Sequence, residues 1–221
     1  MRILYLHGFA SGPGSAKGRA FDAHFAARGI AIERLDLRRP SLAHLRASAM
    51  IAHVIETIAA APGPVILIGS SLGGLTAARV AAREPRVVAQ VLLAPAFQLF
   101  ARWRARLGED GWAAWRATGW LTVHDYVTRA DAEVDFGFAE DAEALDKIDG
   151  GWPAVHIPTW IFHGRADDVV DIAGSRTVAA RSPEVHLTEL DDDHQLIASV
   201  PTILAAVDRA LAPWLAPAAR L

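Results

Sequence analysis

Three short stretches of the chain carry residue types that could act together as a nucleophile, a base and an orienting carboxylate. The first is Gly69-Ser70-Ser71-Leu72-Gly73, which fits the Gly-x-Ser-x-Gly pattern with Ser71 at its centre. An apolar run, Val65 to Ile68, leads into it and an Ala-rich segment follows it, which is the strand-turn-helix context of a nucleophile elbow. Because a serine in so sharp a turn needs small flanking residues, Gly69 and Gly73 favour the same reading. We therefore predict that Ser71 is a nucleophile.

The other two stretches supply a carboxylate and a histidine, and each follows an apolar run late in the chain. Asp167 and Asp168 come after the run Thr159 to Phe162, and His194 comes after the run Val185 to Leu190. Residues that follow strands of one parallel sheet emerge at the same edge, and the chain order Ser, Asp, His is a known order for such triads. We predict that His194 is the general base and that an aspartate orients it. On position alone, either aspartate qualifies.

The loop after the first apolar run, Leu6-His7-Gly8-Phe9, could help to stabilise an oxyanion. A tetrahedral intermediate needs backbone N–H donors, and the best candidates are the amides of Phe9 and of Leu72, the latter at a helix N-terminus. A histidine such as His7 is more often structural than catalytic at this position, so we expect it to hold the loop.

Apolar runs alternate with helical patterns along the chain, which indicates βαβ units and a mainly parallel sheet. Two of the runs, 30–35 and 185–190, mix polar with apolar residues, so we place them at the sheet edges. The expected fold is one α/β domain over residues 1–221, with about six strands and helices on both faces. The predicted strands are 3–6, 30–35, 65–68, 87–93, 159–162 and 185–190, and the predicted helices lie near 15–28, 41–60, 71–84, 172–182 and 194–213.

Residues 98–157 interrupt this alternation, and we refer to them as the insertion. The stretch 131–149 carries eight carboxylates opposed only by Lys147. An insertion between two strands would lie over the C-terminal edge of the sheet, where open α/β sheets bind ligands. We predict that the insertion forms a helical cap. We expect its acidic stretch to face solvent; if it instead rims the entrance, it should disfavour polyanionic substrates by charge repulsion. The insertion also holds five tryptophans, namely Trp103, Trp112, Trp115, Trp120 and Trp152.

The tryptophans allow two interpretations. In the first, the aromatic residues of the cap line an apolar acyl pocket above Ser71, and the candidates are Trp103, Trp112, Trp115 and Trp120. In the second, they only pack the cap against the core of the domain.

Composition limits the kinds of binding partner and the cellular compartment that we expect for this protein. A formal net charge of −3 gives no indication of binding to nucleic acid or to an anionic membrane. The absence of cysteine excludes disulfides and a thiol nucleophile. Since the N-terminal apolar run is too short for a signal peptide, and no run approaches the roughly 18 apolar residues of a membrane span, we expect a cytoplasmic protein with a small-molecule substrate. The oligomeric state is not determined by these features.

On the basis of these residues, the chain resembles members of the α/β-hydrolase superfamily, and in particular the small bacterial YqiA/YcfP-type esterases. Their signature after the first strand is His-Gly-Phe followed by a loop rich in Ser and Pro that ends in Lys, and here it runs from His7 to Lys17. Gly12 departs from it, standing where this group more often has a second serine. The Asp of the segment His-Gly-x-x-Asp-x-x-Val falls on Asp167, with Val170 at the matching valine.

The resemblance implies an α/β-hydrolase fold and hydrolysis of carboxylic esters or thioesters of short to medium acyl groups. It implies an acyl-enzyme on a Ser-His-Asp triad, with no metal or organic cofactor. Two other functions stay open on the sequence. One is a lactonase or C–C bond hydrolase that uses the same triad. The other is a non-catalytic binding protein, although such relatives usually lose a triad member and none is lost here.

Overall fold

The computed structural model describes residues 1–215, and its core is a six-stranded parallel sheet. Its order is β2-β1-β3-β4-β7-β8, and every neighbouring pair is parallel. Two further strands, β5 and β6, form a separate antiparallel pair. The strands are β1 (Arg2–Leu6), β2 (Ile32–Leu35), β3 (Val65–Ser70), β4 (Val87–Leu93), β5 (Trp120–Asp125), β6 (Ala130–Asp135), β7 (Thr159–Gly164) and β8 (Val185–Leu190).

Helices cover both faces of the sheet, which confirms the predicted fold class. On one face α1 and α7 pack their apolar side chains against the strands, and on the other α2, α3 and α6 do so together with the insertion. Within residues 1–215, no helix is both long and apolar enough to cross a membrane. The helices are α1 (Ala16–Ala26), α2 (Ala47–Ala59), α3 (Leu72–Ala81), α4 (Leu99–Thr118), α5 (Gly137–Asp149), α6 (Ala173–Arg181) and α7 (Val200–Leu215).

Burial along the strands follows their position in the sheet. Every residue of the central strand β3 is buried, because helices cover it on both sides. The mixed runs form β2 and β8, which are the two edge strands, as predicted. The continuous apolar runs of the sequence therefore marked the centre of the sheet, and the mixed runs marked its edges.

Two helices begin later than the sequence pattern predicts. Residues 41–46 precede α2 as a loop, and the extended Arg46 donates its amide to the Arg39 carbonyl at 2.9 Å. Residues 194–199 form another loop, in which the Ser199 amide donates to the Asp192 carboxylate at 2.8 Å. Leu196 in this loop has a φ of 55°, which is outside the helical range, and α7 starts only at Val200.

The insertion is not wholly helical, which corrects the prediction of a helical cap. Between α4 and α5 the chain forms the β5–β6 hairpin, whose cross-strand partners include Leu121 with Val134. More exposed and less exposed side chains alternate along β5, which is the two-residue period of a half-buried strand and not the period of a helix. In addition, α4 is kinked at Gly108, where φ is 66°.

The acidic stretch of the insertion does not simply face solvent, as the sequence analysis expected. Half of its carboxylates pair with groups of the main domain. Asp135 bonds Arg46 at 2.6 Å, and Asp149 bonds Arg79 on α3 at 2.8 Å. Asp141 accepts the Ser48 amide at 2.8 Å, and Asp146 also pairs with the same Arg79 side chain. These contacts attach the insertion to α2 and α3, since each joins a basic or polar group of the core to a carboxylate of 131–149.

Arg79 is expected to be the most important of these attachments. Its side chain is 1% exposed, and it pairs with both Asp146 and Asp149. Arg79→Ala leaves two poorly solvated carboxylates without their partner, so we expect it to lower the free energy of unfolding by about 3 kcal/mol or more in a urea titration. Arg83→Ala, an exposed arginine just after the same helix, serves as the control and should change it by less than about 0.5 kcal/mol. Equal effects of the two substitutions would contradict the assignment.

Candidate active site

Ser71 lies in the turn between β3 and α3, at a backbone conformation that few non-glycine residues adopt. Its φ is 55° and its ψ is −117°, and it precedes the first residue of α3. The turn is possible because the backbone around it has no side chains in the way. A Cβ on Gly69 would lie 2.3 Å from the Gly73 carbonyl oxygen, and one on Gly73 would lie 2.2 Å from the Leu6 oxygen. The glycines of the motif are thus required by close backbone approach, as the pattern predicted.

His194 lies in the loop after β8 and faces both Ser71 and Asp167. Its Nε2 is 3.2 Å from the Ser71 Oγ, and its Nδ1 is 2.7 Å from Asp167 Oδ2. Because the carboxylate only accepts, Nδ1 carries the proton in this pair, and Nε2 is free to accept from the serine hydroxyl. The structure therefore brings the three sequence-predicted side chains into one hydrogen-bonded chain.

Asp167, and not Asp168, faces the histidine. Its carboxylate is fully buried and accepts four hydrogen bonds, whereas Asp168 is exposed on the same turn. Oδ1 accepts the amides of Val169 and Val170 at 2.9 and 2.7 Å. Burial alone would raise the pKa of Asp167, but hydrogen bonds from His163, His194 and the Val170 amide outweigh it and hold that pKa well below the usual range. The carboxylate is therefore ionised whenever the protein is folded near neutral pH.

His163 supports the same carboxylate oxygen of Asp167 that faces His194, a role that the sequence analysis did not assign. Its side chain is wholly buried, and its Nε2 lies 3.1 Å from Asp167 Oδ2 and 2.8 Å from the Val170 carbonyl. The Ser175 hydroxyl lies 2.7 Å from its Nδ1, so Nε2 can donate to the carboxylate. The available signal was its place four residues before Asp167 in the His-Gly-x-x-Asp-x-x-Val segment.

The loop after β1 lies against the serine. A Cβ on Gly8 would be 3.2 Å from the Ser71 Cβ, and Phe9 and Leu72 line the same cavity as Ser71. The Leu72 amide belongs to the first turn of α3, so it has no partner within that helix. The Phe9 ring packs against Trp103 with a centroid distance of 4.9 Å, which holds this loop in place.

His7 is structural, as expected. It is 3% exposed, its Nε2 accepts the Leu37 amide at 2.9 Å, and its Nδ1 lies 2.9 Å from the Gly8 carbonyl. Burial lowers the pKa of His7, and an Nε2 that accepts a hydrogen bond also requires the neutral ring. The side chain thus ties the loop after β1 to the chain that follows β2.

A cavity of about 920 Å³ opens at Ser71, and the insertion forms much of its wall. The apolar wall residues of the insertion include Leu99, Trp103, Leu107, Leu121, Val123 and Val127.

Of the four tryptophans predicted to line this cavity, the structure brings only Trp103 to it. Trp112 and Trp115 are buried after the kink of α4, where they pack against each other and against Phe136, and Trp120 lies at the surface against His44. The prediction for these three is corrected accordingly. The reason is the kink, which directs the second half of α4 towards the hairpin.

The charged side chains that line the cavity are basic, so the acidic stretch does not rim it. They are Lys17, Arg19, Arg102, Arg106 and Arg129.

Lys17 is another residue whose role the sequence analysis missed, although it ends the His7 to Lys17 signature. Its ammonium donates to the His194 carbonyl at 3.3 Å. Burial lowers the pKa of Lys17 to about 8, against the opposing effect of nearby aspartates that include Asp167. The residue thus links the loop after β1 to the loop that carries His194. Within residues 1–215, no cluster of three or more His, Asp or Glu side chains has the arrangement of a metal site.

Comparison with solved structures identifies the fold. Mouse alpha/beta hydrolase domain-containing protein 10 superimposes with a TM-score of 0.78 and 24% identity, over 96% of this chain and 89% of the other. Est1E from Butyrivibrio proteoclasticus, solved with ferulic acid bound, gives a TM-score of 0.80 and 17% identity, over 97% and 89%. The monoacylglycerol lipase of Paleococcus ferrophilus gives 0.74 and 15%, over 94% of each chain. At these identities the likeness is one of fold.

Sequence comparison gives the family. No curated protein matches the chain in sequence. Residues 2–208 match the family described as Uncharacterised protein family (UPF0227), which includes the elbow, the Asp167 turn and the His194 loop. This agrees with the YqiA/YcfP-type resemblance drawn from the loop after β1. Since the match spans nearly the whole chain, the protein belongs to the UPF0227 family and has the α/β-hydrolase fold.

Proposed function

We propose that this protein is a serine hydrolase that cleaves carboxylic esters or thioesters of short to medium acyl groups. The observation that carries the proposal is the hydrogen-bonded chain from Ser71 Oγ through His194 to the buried carboxylate of Asp167. A serine hydroxyl is a weak nucleophile until a positioned base can take its proton. Here the base lies within hydrogen-bond distance, and an ionised carboxylate sets its tautomer.

The geometry supports a two-step acyl transfer to water. Ser71 Oγ attacks the ester carbonyl while His194 Nε2 takes the hydroxyl proton, and the imidazolium then gives this proton to the departing alcohol or thiol. A water molecule attacks the resulting acyl-enzyme with His194 again as base, and the acid leaves as Ser71 recovers its proton. Asp167 stays ionised throughout and stabilises the imidazolium.

The oxyanion of each tetrahedral intermediate is assigned to the amides of Phe9 and Leu72. Both residues line the cavity at Ser71, and the positive end of the α3 dipole adds to the attraction at Leu72. Backbone donors fixed by the surrounding packing are effective because they need no reorganisation when the charge develops. The contact between Phe9 and Trp103 provides that fixation for the first loop.

The insertion is proposed to act as a cap over Ser71 and to bind the acyl group. Its contribution to the cavity wall includes Leu99, Trp103 and Leu107, which present an apolar surface to the substrate. One structural relative with the same fold is a monoacylglycerol lipase, which adds support for an ester substrate here.

The first prediction concerns the nucleophile. Ser71→Ala should lower kcat by about 10⁶-fold and remove labelling by a fluorophosphonate probe, while circular dichroism stays unchanged. Ser70→Ala is the matched control, because this neighbouring serine is buried and outside the hydrogen-bonded chain, and it should retain labelling. Labelling that persists in Ser71→Ala, or that maps to Ser70, would refute the assignment. A wild type that is never labelled would favour a binding protein.

The second prediction separates the two adjacent aspartates. Asp167→Asn replaces an acceptor with an amide that can hold the wrong tautomer of His194, so kcat should fall by about 10⁴-fold. Asp168→Asn makes the same chemical change at an exposed position and should change kcat far less. Steady-state kinetics on one ester substrate measures both. The reverse order of effects would assign the orienting role to Asp168.

The third prediction concerns the contact between the two loops that carry Asp167 and His194. A Cβ on Gly164 would lie 2.2 Å from the Asp192 carbonyl oxygen, so Gly164→Ala must displace the chain just before His194. A shift of about 1 Å in such a group should cost on the order of 10²-fold in kcat/KM. Gly111→Ala is the control, since its added Cβ would meet the Leu107 side chain at an ordinary 3.4 Å. Unchanged kinetics for Gly164→Ala would mean that the loop spacing is not critical.

A further inference from the structure

The charge distribution around the cavity differs from that of the chain as a whole. The protein carries 25 acidic against 22 basic residues, yet every Lys, Arg, Asp or Glu that lines the cavity is a Lys or an Arg. Lys17 is already engaged with the His194 loop, which leaves four arginines. Their positions are Arg19, Arg102, Arg106 and Arg129.

These four arginines also differ from most others in the chain because they lack carboxylate partners. Most of the other arginines within residues 1–215 pair with Asp or Glu, as Arg38, Arg46 and Arg176 do. Within residues 1–215, none of the four cavity arginines is in an ion pair. An arginine can also serve a packing role, in which its methylene groups cover apolar surface. That role alone does not explain why no carboxylate lines this cavity.

The first two turns of α4 give the cavity wall both an apolar and a basic surface. Leu99, Trp103 and Leu107 follow one another at intervals of four residues and so form an apolar stripe along the helix. Arg102 and Arg106 are also four residues apart and form a basic stripe beside it. All five line the cavity, and the kink at Gly108 ends both stripes. An amphipathic ligand would meet both stripes at once.

Arg102 is held in a fixed position without being neutralised. Its Nε donates to the Phe97 carbonyl at 2.7 Å and its Nη2 to the Asp171 carbonyl at 3.0 Å. Both partners are neutral backbone groups, so the half-buried guanidinium keeps its full charge. No described residue accepts a hydrogen bond from its Nη1. A planar donor that is oriented in advance and still charged is suited to a carboxylate or phosphate ligand.

The remaining two arginines lie further out. Arg19 belongs to α1 and Arg129 lies in the turn of the β5–β6 hairpin, and both are exposed. Together with Arg106, they extend the positive potential to the exposed part of the cavity. Such a potential attracts anions towards a cleft and is weakened by salt.

We infer that the substrate is an amphipathic ester or thioester that carries an anionic group, either a carboxylate or a phosphate. The anionic group binds Arg102 and Arg106, and the apolar part lies along Leu99, Trp103 and Leu107. This inference rests on the proposed function and names the substrate class of the same site. Attraction of an anionic substrate by these arginines is the opposite of the repulsion that an acidic rim would have produced.

Two matched substrate pairs test the inference. The first is para-nitrophenyl hexanoate and mono-para-nitrophenyl adipate, which differ in a terminal methyl or carboxylate on the acyl side. The second is monooctanoylglycerol and its phosphate, which differ in charge on the alcohol side. At low ionic strength we expect the anionic member of at least one pair to have a kcat/KM about tenfold higher or more, as for a hydrogen-bonded charge pair. The responding pair identifies which side of the ester carries the anion, and added salt should reduce the preference.

Variants on α4 connect the preference to the arginines. Arg102→Gln and Arg106→Gln should each reduce the anionic-to-neutral ratio, and Arg102→Lys should keep part of it because the charge remains. Arg106 is exposed and its side chain makes no hydrogen bond within residues 1–215, so its variant stays informative if Arg102→Gln does not fold. Arg104→Gln is the matched control: it removes the same charge from the same helix, but Arg104 pairs with Glu109 outside the cavity. It should leave the ratio unchanged.

Binding to the Ser71→Ala variant separates the inference from the proposed function. Isothermal titration of both pairs should show tighter binding of the anionic member, and this difference should decrease when Arg102→Gln is added. If wild type hydrolyses the neutral esters but neither pair shows an anionic preference, the inference is wrong and the proposed function stands. If no ester is hydrolysed but Ser71→Ala still prefers the anionic members, the proposed function fails and the anion site stands. An equal loss of preference in Arg104→Gln would also overturn the inference.

Discussion

The candidate site depends on how closely separate stretches of backbone approach one another at the C-terminal edge of the sheet. At Ser71 the chain turns from β3 into α3 with a positive φ, and the space for that turn exists only because Gly69 and Gly73 have no side chains. The same constraint applies at the other end of the hydrogen-bonded chain, where Gly164 lies against the Asp192 carbonyl. Side chains on these strand ends would hold the serine and histidine loops apart, and the distances of about 3 Å required for proton transfer would not be reached.

Close approach alone does not orient the groups, and that is the contribution of the buried Asp167 carboxylate. Burying a carboxylate is costly unless its oxygens are satisfied, and here four donors satisfy them. The donors come from the same turn, from His163 on β7 and from His194 after β8. His163 is held in turn by Ser175 on α6. The orientation of the proposed base is therefore determined by a network that spans three elements.

The insertion illustrates how one chain separates its charges. Carboxylates of 131–149 bond Arg46 and Arg79 and so attach the insertion to α2 and α3. Because these acidic groups are engaged on the side of the core, they do not line the cavity, and the two α4 arginines that line it, Arg102 and Arg106, are in no ion pair with any residue of 1–215. An acidic protein can in this way present a basic cavity. The net charge of the whole protein is therefore a poor guide to the charge preference of one site.

Local patterns in the sequence were enough to predict the fold class and the position of the elbow. Apolar runs and glycines act locally: the run before Gly69 marks a buried strand, and the glycines around Ser71 mark a close turn, whatever the rest of the chain does. The order of strands along the chain then predicted that Ser71, an aspartate and His194 would meet at one edge. The mixed runs correctly predicted both edge strands, because an edge strand has a more exposed face.

Features that depend on what covers a given face could be read only from the folded chain. Asp167 and Asp168 are equivalent by position, and the choice depends on which carboxylate turns inward to meet His163 and His194. The tryptophans of α4 share one composition signal, yet the kink at Gly108 sends Trp103 to the cavity and Trp115 into the core. The partners of the acidic stretch lie far away in sequence: Arg46 is 89 residues from Asp135, and Arg79 is 70 residues from Asp149. Periodicity reports that a face is buried or exposed, but it carries no information about a partner brought there by the folding of distant segments.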